Sequence, residues 1–76
     1  MEYAVQPSDP QRVLMTSYGV ELSSDGGKSW HVVLNSKVMF GPVAWSPSTP
    51  DVAYAIGWDR SVWRSTDGGK VWARTS

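Results

Sequence analysis

The residues of this chain best suited to chemistry sit in one short stretch, Trp58-Asp59-Arg60. An exposed indole beside a carboxylate and a guanidinium is how many sugar sites are built. The ring stacks on the sugar face while the charged groups hydrogen-bond its hydroxyls. Tyr18 takes the corresponding place earlier in the chain. That favours a plainer reading, in which Trp58 packs over a neighbouring sheet and Asp59 pairs with Arg60 or solvent. Asn35 and Lys37 are further loop polar groups. Two Asp-Gly-Gly-Lys runs, at Asp25 and Asp67, invite comparison with phosphate or calcium loops. No helical pattern follows either run, as a phosphate loop requires, and one carboxylate per run is too few for calcium. His31 cannot make a metal site without carboxylate help, and no cysteine offers a thiolate or a disulfide. No metal or cofactor is therefore expected, and Ser-His-Asp catalysis has no nucleophile motif to support it.

The elements that must position these residues are strands. In 76 residues there are five tryptophans, three tyrosines and one phenylalanine, punctuated by seven glycines and five prolines. No window carries apolar residues at helical spacing over three turns. Short β-rich runs bounded by Gly, Pro, Ser and Asp read as an all-β chain. Seven basic and seven acidic residues are spread evenly, so no basic stripe suits a nucleic-acid backbone. The apolar runs are a handful of residues long, far short of a membrane span. Met1-Glu2-Tyr3-Ala4-Val5 has neither the basic nor the apolar region of a secretory signal. The compartment is left open.

A repeat organises the whole sequence. Ser23-Ser24-Asp25-Gly26-Gly27-Lys28-Ser29-Trp30 aligns with Ser65-Thr66-Asp67-Gly68-Gly69-Lys70-Val71-Trp72 at an offset of 42, with six of eight positions identical. Upstream, Pro7-Ser8-Asp9-Pro10 aligns with Pro47-Ser48-Thr49-Pro50 at an offset of 40. Ala4 matches Ala44, and Tyr18 matches Trp58. The extra residues fall in the loop after Trp58, where insertions are best tolerated. Each copy reads as four strands. They are Tyr3-Ala4-Val5, Val13 to Thr16, Val20 to Ser23 and a fourth from Trp30; then Val43-Ala44-Trp45, Val52 to Ile56, Val62 to Ser65 and a fourth from Trp72. Four antiparallel strands repeating every ~40 residues is the period of a propeller blade.

Both octets match Ser/Thr-x-Asp-x-Gly-x-x-Trp/Phe, and on them the chain resembles the Asp-box, or bacterial neuraminidase repeat, propellers. That family includes sialidases, xyloglucanase-type glycoside hydrolases, sortilin-type receptors and photosystem assembly factors. The resemblance implies two blades, residues 1–40 with an Asp-box at 23–30 and residues 41–76 with one at 65–72. They would belong to a larger, about six- to eight-bladed propeller. It also implies that the Asp-box is a folding device on the face away from any active site. Within each octet, Asp25 and Asp67 are expected to accept backbone hydrogen bonds from one to three residues ahead. The glycine pairs supply positive φ, so that Gly27 and Gly69 close the turns. Ser23 and Ser65 bond within them, and Trp30 and Trp72 drive the fourth strands onto their neighbours.

Function would then belong to the opposite loops: Ser17-Tyr18-Gly19, Gly57 to Ser61, and a connection from Asn35 to Gly41. The candidate ligand-binding residues are Trp58, Asp59, Arg60 and Tyr18, with a glycan as the possible ligand. A complete active site is not expected. A sialidase would need three arginines on one loop face and a Tyr–Glu pair. Arg12 and Arg64 instead lie in or beside strands, and Asp59 has no partner carboxylate for a xyloglucanase-type cleft. Two blades leave their outer faces bare, and repeat units need neighbours on both sides. About three or four chains closing a ring, a homo-oligomeric trimer or tetramer, would cover them. The alternatives are a piece of a longer propeller, a carbohydrate- or protein-binding module, or a fragment of a glycoside hydrolase.

Overall fold

Eight strands follow one another in the computed structural model, which describes residues 2–76. They are β1 (Tyr3–Gln6), β2 (Asp9–Ser17), β3 (Gly19–Ser23), β4 (His31–Asn35), β5 (Phe40–Trp45), β6 (Ala53–Gly57), β7 (Val62–Ser65) and β8 (Trp72–Arg74). Two four-stranded sheets result, ordered β1-β2-β3-β4 and β5-β6-β7-β8. Every neighbouring pair is antiparallel. The all-β reading and the two four-stranded units hold.

Register decides which side chains share a face, because successive residues of a strand point to opposite sides. In the first sheet Ala4, Leu14, Leu22 and His31 form one cross-strand row. Tyr3, Met15, Glu21 and Val32 form a row on the other face. In the second sheet the row Trp45, Ala53, Ser65, Trp72 and the row Val43, Ala55, Trp63, Arg74 share one face. Ala44, Tyr54, Arg64 and Ala73 lie on the opposite one. The core forms between the sheets. Leu14, Val20 and Leu22 of the first are buried with Phe40, Trp45, Ala53, Ala55 and Trp72 of the second, and Trp63 packs against that cluster.

Polar contacts lock the same interface. Trp45 Nε1 donates to the Ala4 carbonyl at 2.9 Å, and Thr16 Oγ1 donates to the Gly41 carbonyl at 2.8 Å. Arg12 Nη1 donates to the Gly68 carbonyl at 3.3 Å, and Gln6 Nε2 reaches the Pro50 carbonyl. Buried backbone carbonyls need such partners, since leaving one unpaired costs more than a made bond contributes. The second octet is thus docked on the first sheet: a Cβ on Gly69 would stand 3.1 Å from Leu14 and 3.6 Å from Leu22.

Several boundaries differ from the sequence reading. The aligned Pro-Ser-x-Pro segments are not equivalent turns. β2 begins at Asp9, which pairs with Gln6 across Pro7-Ser8. The other segment lies in a longer loop, held by Ser46 N to Val52 O at 2.8 Å and Val52 N to Thr49 O at 3.0 Å. Asn35 closes β4 and Phe40 opens β5, so the connection between sheets is shorter than Asn35 to Gly41. Phe40 pairs with Gly57 and belongs to the second sheet. Apolar Phe40 and the close contact at Gly41 draw this stretch into the ladder. Trp30 is only half-buried whereas Trp72 is buried, because Trp72 has a sheet opposite it and Trp30 does not.

Candidate functional site

Hairpin geometry sorts the loops onto two ends. At one end the octets lie beside the first connections, with Gly26 N donating to Gln11 O at 2.8 Å and Gly68 N to Asp51 O at 2.9 Å. At the other, Ser36 N donates to Tyr18 O at 3.3 Å and Trp58 N to Met39 O at 2.9 Å. The candidate residues Tyr18, Trp58, Asp59 and Arg60 therefore gather at the end away from the octets.

The octet end is filled by its own hydrogen bonds. Ser23 Oγ donates to Asp25 Oδ1 at 2.8 Å and accepts from Gly27 N at 2.8 Å. Asp25 Oδ1 accepts from Lys28 N at 3.0 Å and Ser29 N at 2.9 Å. The second octet repeats the pattern. Ser65 Oγ bonds Asp67 at 2.9 Å and Gly69 N at 2.9 Å, while Asp67 takes Lys70 N at 3.1 Å and Val71 N at 2.9 Å. Each carboxylate thus reaches three and four residues ahead, further than expected. The reason is the glycine pair, whose positive φ (75° and 95° in the first octet, 81° and 90° in the second) curls the chain back over the Asp. Each tryptophan closes its turn: Nε1 of Trp30 and of Trp72 donates to the Gly27 and Gly69 carbonyls at 3.1 and 2.9 Å.

These bonds set the carboxylate chemistry. The Ser29 hydroxyl and amide, then Ser23, hold Asp25 well below the usual carboxylate range. The Val71 amide and the Ser65 hydroxyl lower Asp67. Hydrogen bonds to the charged form favour it. A carboxylate so held is a poor proton carrier near neutral pH.

At the opposite end Trp58 is 71% exposed and Tyr18 is 61% exposed. The Trp58 ring edge lies over Gly41, where a Cβ would be 3.1 Å from Nε1. The ring thus meets β5 of its own sheet. Asp59 pairs with neither Arg60 nor solvent alone. Its Oδ1 accepts from the Ser61 amide at 3.0 Å and from the Ser61 hydroxyl. Those bonds, with Arg74 nearby, lower its pKa. Arg60 is exposed with φ of 70°, the left-handed conformation that this Asp-initiated turn demands. Beside these loops a hollow of about 380 Å³ is lined by Asn35, Ser36 and Lys37. Among the described residues no group of His, Cys, Asp and Glu could hold a metal ion.

Two residues of this end were not singled out by sequence. Ser61, buried, fixes Asp59, and Gly41 lets the Trp58 ring approach the backbone. An Asp followed two residues later by Ser is an Asx-turn signal, so Ser61 was legible locally. Gly41 is far away in sequence, and only the fold brings it near.

Comparison with known proteins adds the larger architecture. No protein-family model matches the chain, and no curated protein matches it. Among solved structures it is similar to YCF48 from Cyanidioschyzon merolae, a β-propeller, at 30% sequence identity and a TM-score of 0.78. The likeness covers 97% of this chain and 22% of that one. The two sheets are propeller blades, and the chain spans about a fifth of the length of the propeller it matches.

Proposed function

We propose that the chain is a propeller-building unit, two blades that join further copies of themselves into a closed ring, with no catalysis of its own. One observation carries this reading. Both outer sheet faces expose large apolar side chains: Tyr3, Val5 and Val32 on the first sheet are 61%, 54% and 60% exposed, and Tyr54 and Ile56 on the second are 42% and 40% exposed. Apolar side chains exposed on both faces suit an interface, and a blade is normally covered on both faces by its neighbours. The reading without catalysis is supported by the carboxylates: Asp25, Asp59 and Asp67 each accept hydrogen bonds from groups inside their own turns. Light scattering on the purified chain should give about three or four times the single-chain mass, closing a six- or eight-bladed ring. A folded, stable monomer would overturn the assembly.

A binding role for the loop end is the second reading, and the largely exposed Trp58 favours it. In a ring, each copy would contribute Trp58, Arg60 and the Asn35–Lys37 hollow to one rim, giving a multivalent surface. Stacking on sugar rings suits an exposed indole, so glycans are the ligand class proposed. A glycan array on the wild-type protein and on Trp58→Ala tests it. Binding that ignores the substitution would sink the assignment.

A further inference from the structure

We infer that the face carrying Tyr54 and Arg64 in one copy seats head to tail on the face carrying Val5 and Trp30 in the next. This junction is a size-exchanged repeat of the seam inside the chain. The inference rests on the ring reading above and says which surface meets which.

The two sheets are equivalent residue by residue. Ser23 and Ser65 open the two octets, and register sets Val13↔Ser23 and Leu14↔Leu22 beside Ala53↔Ser65 and Tyr54↔Arg64. Ala4 pairs with Leu14 as Ala44 does with Tyr54, and Leu22 with His31 as Arg64 does with Ala73. The row Ala4-Leu14-Leu22-His31, on the face the first sheet turns to its neighbour, thus corresponds to Ala44-Tyr54-Arg64-Ala73 on the second sheet's outer face. Likewise the second sheet's inner row Trp45-Ala53-Ser65-Trp72 corresponds to Val5-Val13-Ser23-Trp30 on the first sheet's outer side. The two outer faces are counterparts of the two faces that already meet inside the chain.

The inner seam shows which side chains meet. A Cβ built on Gly69 lies 3.1 Å from Leu14, 3.5 Å from Trp45 and 3.6 Å from Leu22. The counterparts between copies are Gly27 with Tyr54, Val5 and Arg64. Val5 is smaller than Trp45, while Tyr54 and Arg64 are larger than Leu14 and Leu22. Bulk lost from one face is thus regained on the other, the balance that a close-packed seam requires. A Cβ on Gly27 would lie 3.5 Å from the Trp30 ring. The Arg64 position therefore comes beside that indole, whose face attracts a guanidinium. Trp30, half-buried in the single chain, gains the cover that Trp72 already has. The polar ties of the inner seam do not recur. Trp45, Thr16 and Arg12, which donate to Ala4, Gly41 and Gly68, correspond to Val5, Ile56 and Val52. The junction between copies is apolar where the inner seam is hydrogen-bonded.

Two lysine variants test the pairing of faces. Val5→Lys places an uncompensated charge in one face and Tyr54→Lys places one in the other, and burying such a charge is costly. Both positions are exposed in the single chain, so circular dichroism should show each variant folded. By light scattering each alone should be monomeric. An equal mixture should give two-chain species and nothing larger, because one intact junction forms between unlike variants and both of its free ends are blocked. Variants that assemble alone, or a mixture that stays monomeric while wild type assembles, would overturn the pairing and leave the ring. A wild type that is itself a folded monomer would overturn the ring reading together with the pairing. The size exchange is read separately. Val5→Trp overfills the junction and should weaken association, whereas Val5→Trp with Tyr54→Leu and Arg64→Leu rebuilds the inner set and should restore it. Val5→Trp assembling as well as wild type, or a triple variant no better than Val5→Trp, would remove the size exchange.

Discussion

Trp45 donates its indole N–H to the carbonyl of Ala4, 2.9 Å away and 41 residues earlier in the chain. The bond joins the first strand of one blade to the first strand of the other. It also places a ring that is 7% exposed over the seam between them.

Two substitutions at Trp45 should separate the ring from its donor. Trp45→Phe keeps an aromatic but strands the Ala4 carbonyl, at a cost of about 1–3 kcal/mol. Trp45→Ala also empties the seam and should cost about 3–5 kcal/mol. Urea unfolding at one fixed protein concentration measures both, since assembly couples to stability.

Gly19 should tolerate no side chain. Its φ is 114°, and a Cβ would be built onto the Leu34 carbonyl oxygen of the adjoining strand. Gly26 has φ of 75°, but its Cβ would stand 3.3 Å from the movable end of Gln11. Gly19→Ala is therefore expected to lose more than the ~1–2 kcal/mol of a left-handed conformation alone, and Gly26→Ala about that much. Thermal melts of the two, side by side, give the ordering.

Acid should weaken the fold through the octets. Asp25 and Asp67 are held below their ordinary values by hydrogen bonds that exist only in the folded chain. Their contribution is complete above the unfolded carboxylate pKa, about 4, and is lost as pH falls through the lower folded values. Unfolding free energy followed from pH 7 downward should decline below about pH 4. The doubly substituted Asp25→Asn, Asp67→Asn protein should start lower and decline less steeply.

Trp58 and Phe40 predict opposite behaviour for two aromatics at the same end of the sheet. Phe40 is 1% exposed and Trp58 is 71% exposed. Phe40→Ala should cost about 3–5 kcal/mol, while Trp58→Ala should shift stability by no more than ~0.5 kcal/mol. Paired denaturation curves settle the contrast, and a large loss at Trp58 would mean that it is covered in the assembly.

The sequence by itself determined the octet turns, the number of strands and their antiparallel order. These depend on groups a few residues apart: a hydroxyl, a carboxylate and two glycines within one turn specify their own hydrogen bonds wherever the turn sits. It also showed which loops stand opposite the octets, since alternating hairpins must alternate ends. Tertiary structure alone decided which face of each blade is inside. Val13-Leu14-Met15 and Ala53 to Ile56 are both unbroken apolar runs, and the octets give Trp30 and Trp72 the same local setting, yet one is half-buried and the other buried. Burial belongs to the surface that arrives opposite, and for Trp72 that surface is the first sheet, with Leu14 and Leu22 beside Gly69. The same dependence on a distant partner hid the Trp45–Ala4 and Thr16–Gly41 bonds, as well as the Gly41 floor beneath Trp58.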